Sequence, residues 1–281
     1  IHIQIAHHGA DDSQLLVVLF AEHGGIWAPE MALQHLRQPA SPASTGRPTD
    51  YWAQTMLPFA GEASDPLSKM MCDWAGKSLH KWEHYAAHGD AHLAAWRGRA
   101  PRLLEIGVQH GGSLELWAAY FGEGTRIAGV DVDEACADLV YPAHIQVFIG
   151  DQTHSPTLHR ALAHLGGAVD IIIDDGSHKS PDVRATFHEL WPHLTVGGWY
   201  VIEDLHASYW RDYGAGHGLG HPDGILALLA ELMDDLHGAH HTSGHRHVPW
   251  SALGAIHVYD SIAFIQKTER DMPRNWRMPA P

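Results

Sequence analysis

From Arg102 onward, short apolar runs alternate with longer stretches whose apolar residues recur every three or four positions, a pattern that predicts parallel strands joined by helices. Strands are expected at Leu103–Val108, Arg126–Asp131, Ile145–Gly150, Val169–Asp175 and Gly198–Asp204. Each should lead through a loop into a helical stretch, as at Ser113–Tyr120, Pro156–His164, Pro181–His193 and Gly224–His237. Near the end, Ala255–Tyr259 and Ile262–Lys267 are separated only by Asp260 and Ser261, a hairpin signal. The expected fold is therefore α/β, a mostly parallel sheet of seven strands that ends in an antiparallel hairpin.

Upstream the pattern is weaker. Residues 64–97 carry the Ala, Leu, Met and Trp content of helices, with Trp74, Leu79, Trp82, Tyr85 and Leu93 on roughly helical spacing, so a helical lead-in is expected. Pro39–Asp50 is rich in Pro, Ser and Thr and reads as a linker. Before it lie only an alternating stretch, Ile1–Ile5, and an apolar block, Leu15–Phe20. The division is an N-terminal segment with linker over 1–50, a helical lead-in over 51–100 and the main domain over 101–281.

Charge narrows the function. Among 281 residues, 18 Lys and Arg stand against 33 Asp and Glu, a formal charge of −15. That balance, without a cluster of basic residues, argues against nucleic acid or an anionic membrane as partner, because phosphate contacts need grouped Lys and Arg. The block Leu15–Phe20 is too short to cross a bilayer, and no basic segment followed by an apolar signal core opens the chain. Two cysteines, Cys72 and Cys136, cannot make a disulfide framework, so a reduced cytoplasmic setting is the default. The 26 histidines make net charge steep in pH between about 6 and 7.

In open parallel sheets, functional groups collect at the carboxyl ends of strands. The first such end, Leu104-Glu105-Ile106-Gly107-Val108-Gln109-His110-Gly111-Gly112-Ser113, is a strand, a glycine turn and a helix start, where backbone N–H groups can face a ligand. It lacks the dinucleotide pattern G-x-G-x-x-G, which disfavours a nicotinamide enzyme. The second end, Val130-Asp131, places an acid roughly twenty residues further on, suited to a ribose diol. The third, Gly150-Asp151-Gln152, offers a carboxylate or amide to an adenine. Either acid alone is better read as a cap on the next helix; together they outline a nucleoside pocket.

This order of glycine turn, ribose acid and adenine-side acid resembles the class I S-adenosylmethionine-dependent methyltransferases over roughly residues 100–267. More specifically, LLEIGVQHGGSLELW, IDDGSH, GGWYVIEDLHASYW and HVYDSIAFIQK are similar to the magnesium-dependent sugar O-methyltransferases of macrolide and aromatic polyketide tailoring, of the mycinamicin, tylosin and tetracenomycin type. The segment His80-Lys81-Trp82-Glu83-His84-Tyr85 extends the resemblance upstream. The resemblance implies a Rossmann-like fold, S-adenosylmethionine as cofactor, a small-molecule glycoside as acceptor and a homo-oligomer. It assigns Glu105, Gly107, Gly111, Ser113, Asp131, Asp151, Gln152 and Asp174 to the cofactor, with Asp131 at the ribose and Asp151 and Gln152 at the adenine.

The resemblance assigns Asp175, Glu203 and Asp204, at the last two strand ends, to Mg²⁺, and the chemistry agrees. Crowded carboxylates repel unless a cation or proton joins them, and hard oxygens suit Mg²⁺ better than structural zinc. His178 is the candidate general base for a sugar hydroxyl, which is too weakly acidic to attack unaided. The alternatives are O-methylation of a phenolic or other non-sugar acceptor, an oxidoreductase of the cephalosporin-hydroxylase type, and a non-catalytic metal- or cofactor-binding module. His80, His84, His88 and His92 recur every four residues, but Gly89-Asp90 is expected to interrupt their helix, leaving a solvated or hydrogen-bonded face. The His-rich stretch 237–247 is expected to be a loop, and Tyr209, Trp210, Tyr213 and the glycine-rich 214–220 suit a lid over a sugar.

Overall fold

A computed structural model describes residues 63–213, 218–242 and 248–278. The segment 1–50 with its linker, the first part of the lead-in, residues 214–217 of the glycine-rich stretch, residues 243–247 of the His-rich stretch and residues 279–281 lie outside them.

The elements in chain order are α1 (Pro66–Cys72), α2 (Glu83–Leu93), β1 (Arg102–Ile106), α3 (Gly112–Phe121), β2 (Arg126–Asp131), β3 (Ile145–Ile149), α4 (Ser155–His164), β4 (Val169–Asp174), α5 (Ser180–Leu190), β5 (Leu194–Ile202), α6 (Ile225–Leu236), β6 (Leu253–Tyr259) and β7 (Ile262–Lys267). One seven-stranded sheet has the order β3-β2-β1-β4-β5-β7-β6. Strands β1 to β5 are parallel, and β7 runs antiparallel between β5 and β6. The strand reversal lies where β1 meets β4, the crevice in which open α/β sheets bind ligands.

Both faces of the sheet are covered, which is why its strands read as apolar runs rather than as alternation. Successive residues of one strand serve opposite cores. Leu104, Ile106, Ile172, Tyr200 and Ile202 pack with helices α4, α5 and α6, through Leu158, Phe187 and Leu228. Leu103, Ile171, Ile173, Trp199 and Val201 pack with α1, α2 and α3, through Leu67, Tyr85, Leu93, Leu114 and Trp117. Proline stands in the first turn of α4 and of α5, where its missing N–H costs nothing.

Two expectations need correction. No α-helix joins β2 to β3; a 3₁₀ turn, Glu134–Asp138, started by the Asp133 side chain, makes the link. Gly89-Asp90 does not interrupt α2, because Gly89 is a point of close approach. A Cβ there would lie 2.9 Å from Leu67 Cδ2 on α1, and Asp90 accepts a hydrogen bond from Tyr120 OH at 2.8 Å. The helix carries its histidines against the terminal hairpin: His88 stacks on Tyr259 with centroids 3.8 Å apart, and His92 lies 4.4 Å from His257. Among the described residues no helix is long and apolar enough to cross a membrane.

Candidate active site at the strand ends

The glycine turn after β1 is a left-handed path. Gly107 has φ +90°, and a Cβ on it would stand 2.0 Å from the carbonyl oxygen of Asp175, so the ends of β1 and β4 touch backbone to backbone. Gly111 has φ +83° and leads into α3, whose first turn holds the buried Ser113. Asp131 braces this turn. Its Oδ2 accepts from Val108 N at 2.7 Å and Gln109 N at 2.9 Å, and its Oδ1 accepts from Asp133 N at 2.8 Å. Burial pushes the carboxyl up, but those N–H groups outweigh it and hold Asp131 below its ordinary range. A lone pair on Oδ1 remains for a hydroxyl. Asp151 is exposed and spends Oδ1 on the Thr153 N–H and hydroxyl, a turn cap that leaves Oδ2 outward.

Gln152 and Asp174, both expected at the cofactor, are joined to each other. Gln152 Nε2 donates to Asp174 Oδ1 at 3.3 Å and Thr186 Oγ1 at 3.0 Å, and its Oε1 accepts from Ser177 N at 2.7 Å. Asp174 also accepts from Tyr200 OH at 3.1 Å and is 1% exposed. Both amide groups and both carboxylate oxygens are thus committed to a brace beneath the site. The reason is strand parity: Asp174 sits on the same face as Ile172, toward α5, while the ligand crevice opens beyond the strand. Burial pushes the Asp174 carboxyl up to about 7, against hydrogen bonds that favour its ionised form.

Three acids on the other face or past the strand ends form a second arrangement, organised by a residue the sequence reasoning assigned no role. Lys81 Nζ donates to Asp175 Oδ2 at 2.7 Å, Glu203 Oε2 at 2.9 Å and Glu105 Oε1 at 3.3 Å. Burial would lower the ammonium, but Asp175, Glu203 and Glu105 together raise it well above its ordinary value, so it stays charged. Burial also raises Glu105 and, further, Glu203, with Lys81 opposing it in each case. Glu105 and Glu203 therefore each direct one oxygen to Lys81.

Asp204 is held by the same lead-in segment. Its Oδ1 accepts from Trp82 Nε1 at 3.1 Å and Tyr85 OH at 3.0 Å, and Asp204 N donates to Tyr85 OH at 3.1 Å. The consequence is a division of oxygens. Asp175 gives Oδ2 to Lys81 and Asp204 gives Oδ1 to Trp82 and Tyr85, whereas Asp175 Oδ1 and Asp204 Oδ2 lie 4.0 Å and 3.6 Å from His178 Nε2. Donor atoms of Asp175, His178 and Asp204 all fall within 4.8 Å of one another. Two hard oxygens beside the His178 ring, with the remaining positions open to water or a substrate hydroxyl, fit a divalent ion such as Mg²⁺. His178 and Asp204 both have left-handed backbones, φ +56° and +55°, strain of the sort that collects at functional sites.

Aromatic groups border this cluster. Trp82 meets His206 edge to face at 5.4 Å, His206 meets Trp210 at 4.4 Å, and the Tyr213 ring lies 5.9 Å from His178. Signals for Lys81, Trp82 and Tyr85 were present only as part of the upstream motif.

Residues 104–205 match the family model of a methyltransferase domain. The chain is 38% identical over 202 residues to demethylmacrocin O-methyltransferase of Streptomyces fradiae, covering 68% of this chain and 49% of that protein. It is 32% identical over 230 residues to mycinamicin VI 2''-O-methyltransferase of Micromonospora griseorubida, covering 78% and 56%. Among solved structures, the MycE methyltransferase of the mycinamycin biosynthetic pathway, in complex with Mg, SAH and mycinamycin VI, superposes with a TM-score of 0.64 at 31% identity, covering 73% of this chain and 54% of that one. The chain thus spans about half the length of the curated relatives it matches. Sheet order, glycine turn and these matches together place it in the class I S-adenosylmethionine-dependent methyltransferase family, similar within it to the sugar O-methyltransferases of macrolide and tetracenomycin tailoring.

Proposed function

We propose that this chain transfers a methyl group from S-adenosylmethionine to a sugar hydroxyl of a glycosylated small molecule, with Mg²⁺ held by Asp175 and Asp204 and His178 as general base. The carrying observation is that Asp175 Oδ1 and Asp204 Oδ2 both turn toward His178 Nε2 at the strand ends beside the glycine turn. The relatives support the reaction class, since their names specify O-methylation, among them of an L-olivosyl-oleandolide and of a rhamnosyl tetracenomycin.

When bound, the sulfonium supplies an activated methyl and the divalent ion lowers the cost of charge on the acceptor oxygen. The chain's own residues then have three tasks. The turn at Gly107–Gly111 and the free Oδ1 lone pair of Asp131 hold the cofactor; Asp175 and Asp204 hold the ion; the aromatic border of Trp82, His206 and Trp210 excludes water and offers faces to a sugar. His178 accepts the hydroxyl proton at Nε2 as the oxygen–carbon bond forms and the carbon–sulfur bond breaks, leaving a thioether. At 3.6 Å and 4.0 Å from the two acids, its ring makes no direct hydrogen bond with either.

A lone pair on Nε2 serves a proton or a metal, not both, and this gives the test. In His178→Ala, S-adenosylmethionine and Mn²⁺ binding should persist near wild-type affinity while turnover of a glycoside panel is lost. Normal turnover would remove the base assignment, and loss of Mn²⁺ binding would move His178 into the ligand set. Matched glycosides and aglycones, with products identified by mass, decide between a sugar and a non-sugar acceptor.

A further inference from the structure

Lys81 has no part in the reaction written above, yet three carboxylates close on its ammonium at 2.7, 2.9 and 3.3 Å, and its side chain is 5% exposed. An ammonium has three N–H donors, and here each has a carboxylate. Two of those carboxylates, Glu105 near the end of β1 and Glu203 just after β5, lie on the face toward α2 and α3, and the third, Asp175, is shared: one oxygen on Lys81, the other turned to His178. A divalent ion taken by Asp175 and Asp204 would stand one carboxylate away from this fixed positive charge.

We infer that Lys81 is an internal counter-ion of the acidic cluster, which keeps Glu105, Asp175 and Glu203 together and holds down the affinity of Asp175 and Asp204 for a divalent ion. This rests on the cation reading proposed above. Two effects of the ammonium oppose each other. Its hydrogen bonds orient Asp175, which favours a cation, while its charge repels a doubly charged neighbour separated from it by a single carboxylate. At the effective dielectric of a partly buried site, the second effect is the larger and corresponds to a factor of about ten or more in affinity. A residue that only positions Asp175 would have the opposite sign, because its loss would weaken cation binding.

The test measures Mn²⁺ affinity by calorimetry on the whole chain, without cofactor or acceptor, for wild type, Lys81→Met, Lys81→Gln, Lys81→Arg and Asp204→Asn, with thermal midpoints after chelation and after Mn²⁺ addition. Lys81→Met and Lys81→Gln should bind Mn²⁺ about tenfold or more tightly than wild type, melt lower after chelation and gain more from Mn²⁺. Lys81→Arg, which keeps the charge, should stay within about threefold of wild type. Unchanged or weaker binding in a folded Lys81→Met or Lys81→Gln protein, while wild-type binding is sensitive to Asp204→Asn, overturns the counter-ion role alone. If none of the proteins binds Mn²⁺ in a manner sensitive to Asp204→Asn, the cation reading fails and the counter-ion role with it.

Discussion

Replacing Tyr85 by Phe removes one oxygen from the hinge between α2 and the end of β5, and its cost can be worked from the contacts. The hydroxyl has one proton and two acceptors, Ser261 O at 2.8 Å and Asp204 Oδ1 at 3.0 Å, and it accepts from Asp204 N at 3.1 Å. Burial first, then the carboxylates of Asp204 and Glu203, raise the phenol far above its ordinary value, so the proton stays on oxygen. After substitution Ser261 O keeps Leu205 N at 2.9 Å and Asp204 Oδ1 keeps Trp82 Nε1 at 3.1 Å, but the Asp204 N–H is left without its acceptor. One unsatisfied, part-buried donor costs about 1–2 kcal/mol. The loss falls on a residue whose backbone is already strained at φ +55°, so the Asp204 carboxylate should lose its fixed direction as well. Urea unfolding should show a lower midpoint with an unchanged slope, and Mn²⁺ affinity should fall by several-fold. Stability within about 0.5 kcal/mol of wild type together with unaltered Mn²⁺ affinity would refute the idea that Tyr85 holds Asp204.

Gly107→Ala combines a left-handed φ of +90° with a Cβ 2.0 Å from the Asp175 carbonyl oxygen, so destabilisation of roughly 2–5 kcal/mol and loss of S-adenosylhomocysteine binding are expected; calorimetric binding at wild-type affinity would contradict that. Asp174→Asn turns an amide toward donors from Gln152 and Tyr200, and thermal unfolding should register about 1–3 kcal/mol of lost stability. The pH dependence has two opposed limbs. His92, lowered to about 4 by burial and then by His257 and His88, takes up protons more readily when unfolded, so its contribution is lost as pH falls from about 6.5 to about 4. Asp174, raised to about 7 by burial, binds its proton more tightly when folded, so its contribution is lost as pH rises from about 4 to about 7. His92→Leu should therefore flatten the acid limb of the stability curve by about 1–2 kcal/mol, a figure discounted for partial exposure, and an unchanged limb would place the acid sensitivity elsewhere.

The sheet was legible because its strands form short apolar runs, buried throughout in β4, and the linkers punctuate them: β2 and β7 occupy the expected Arg126–Asp131 and Ile262–Lys267. The glycine turn was legible because only glycine passes through φ +90° against a neighbouring backbone at no cost. The helix expected between β2 and β3 failed for want of any apolar period there, and a turn started by Asp133 suffices. Lys81 was not legible as a partner of the acids: its bonds to Asp175 and Glu203 span 94 and 122 positions, and no spacing rule connects a lead-in residue to strand ends that distant.

What separates the acids is parity, which was in the sequence all along. Along β5, Trp199 and Val201 share one face and Tyr200 and Ile202 the other, so Glu203 continues the face toward α2 and meets Lys81, while Asp204, past the strand, escapes the alternation through a left-handed backbone. Along β4 the same count sends Asp174 to the α5 side and frees Asp175 at the strand end. Adjacent acids in Asp174-Asp175 and Glu203-Asp204 thus have unlike duties: the first of each pair is walled into the fold, and the second turns an oxygen to His178. With all four ionised, Glu105, Asp175, Glu203 and Asp204 set four negative charges against the single ammonium of Lys81. The excess of three equals the charge of one divalent ion and one sulfonium. Under the function proposed above, such a balance is close to neutral only with both bound, so removing either should be felt as carboxylate repulsion, or as proton uptake by the buried Glu105 and Glu203, across the whole cluster rather than at its nearest ligand alone.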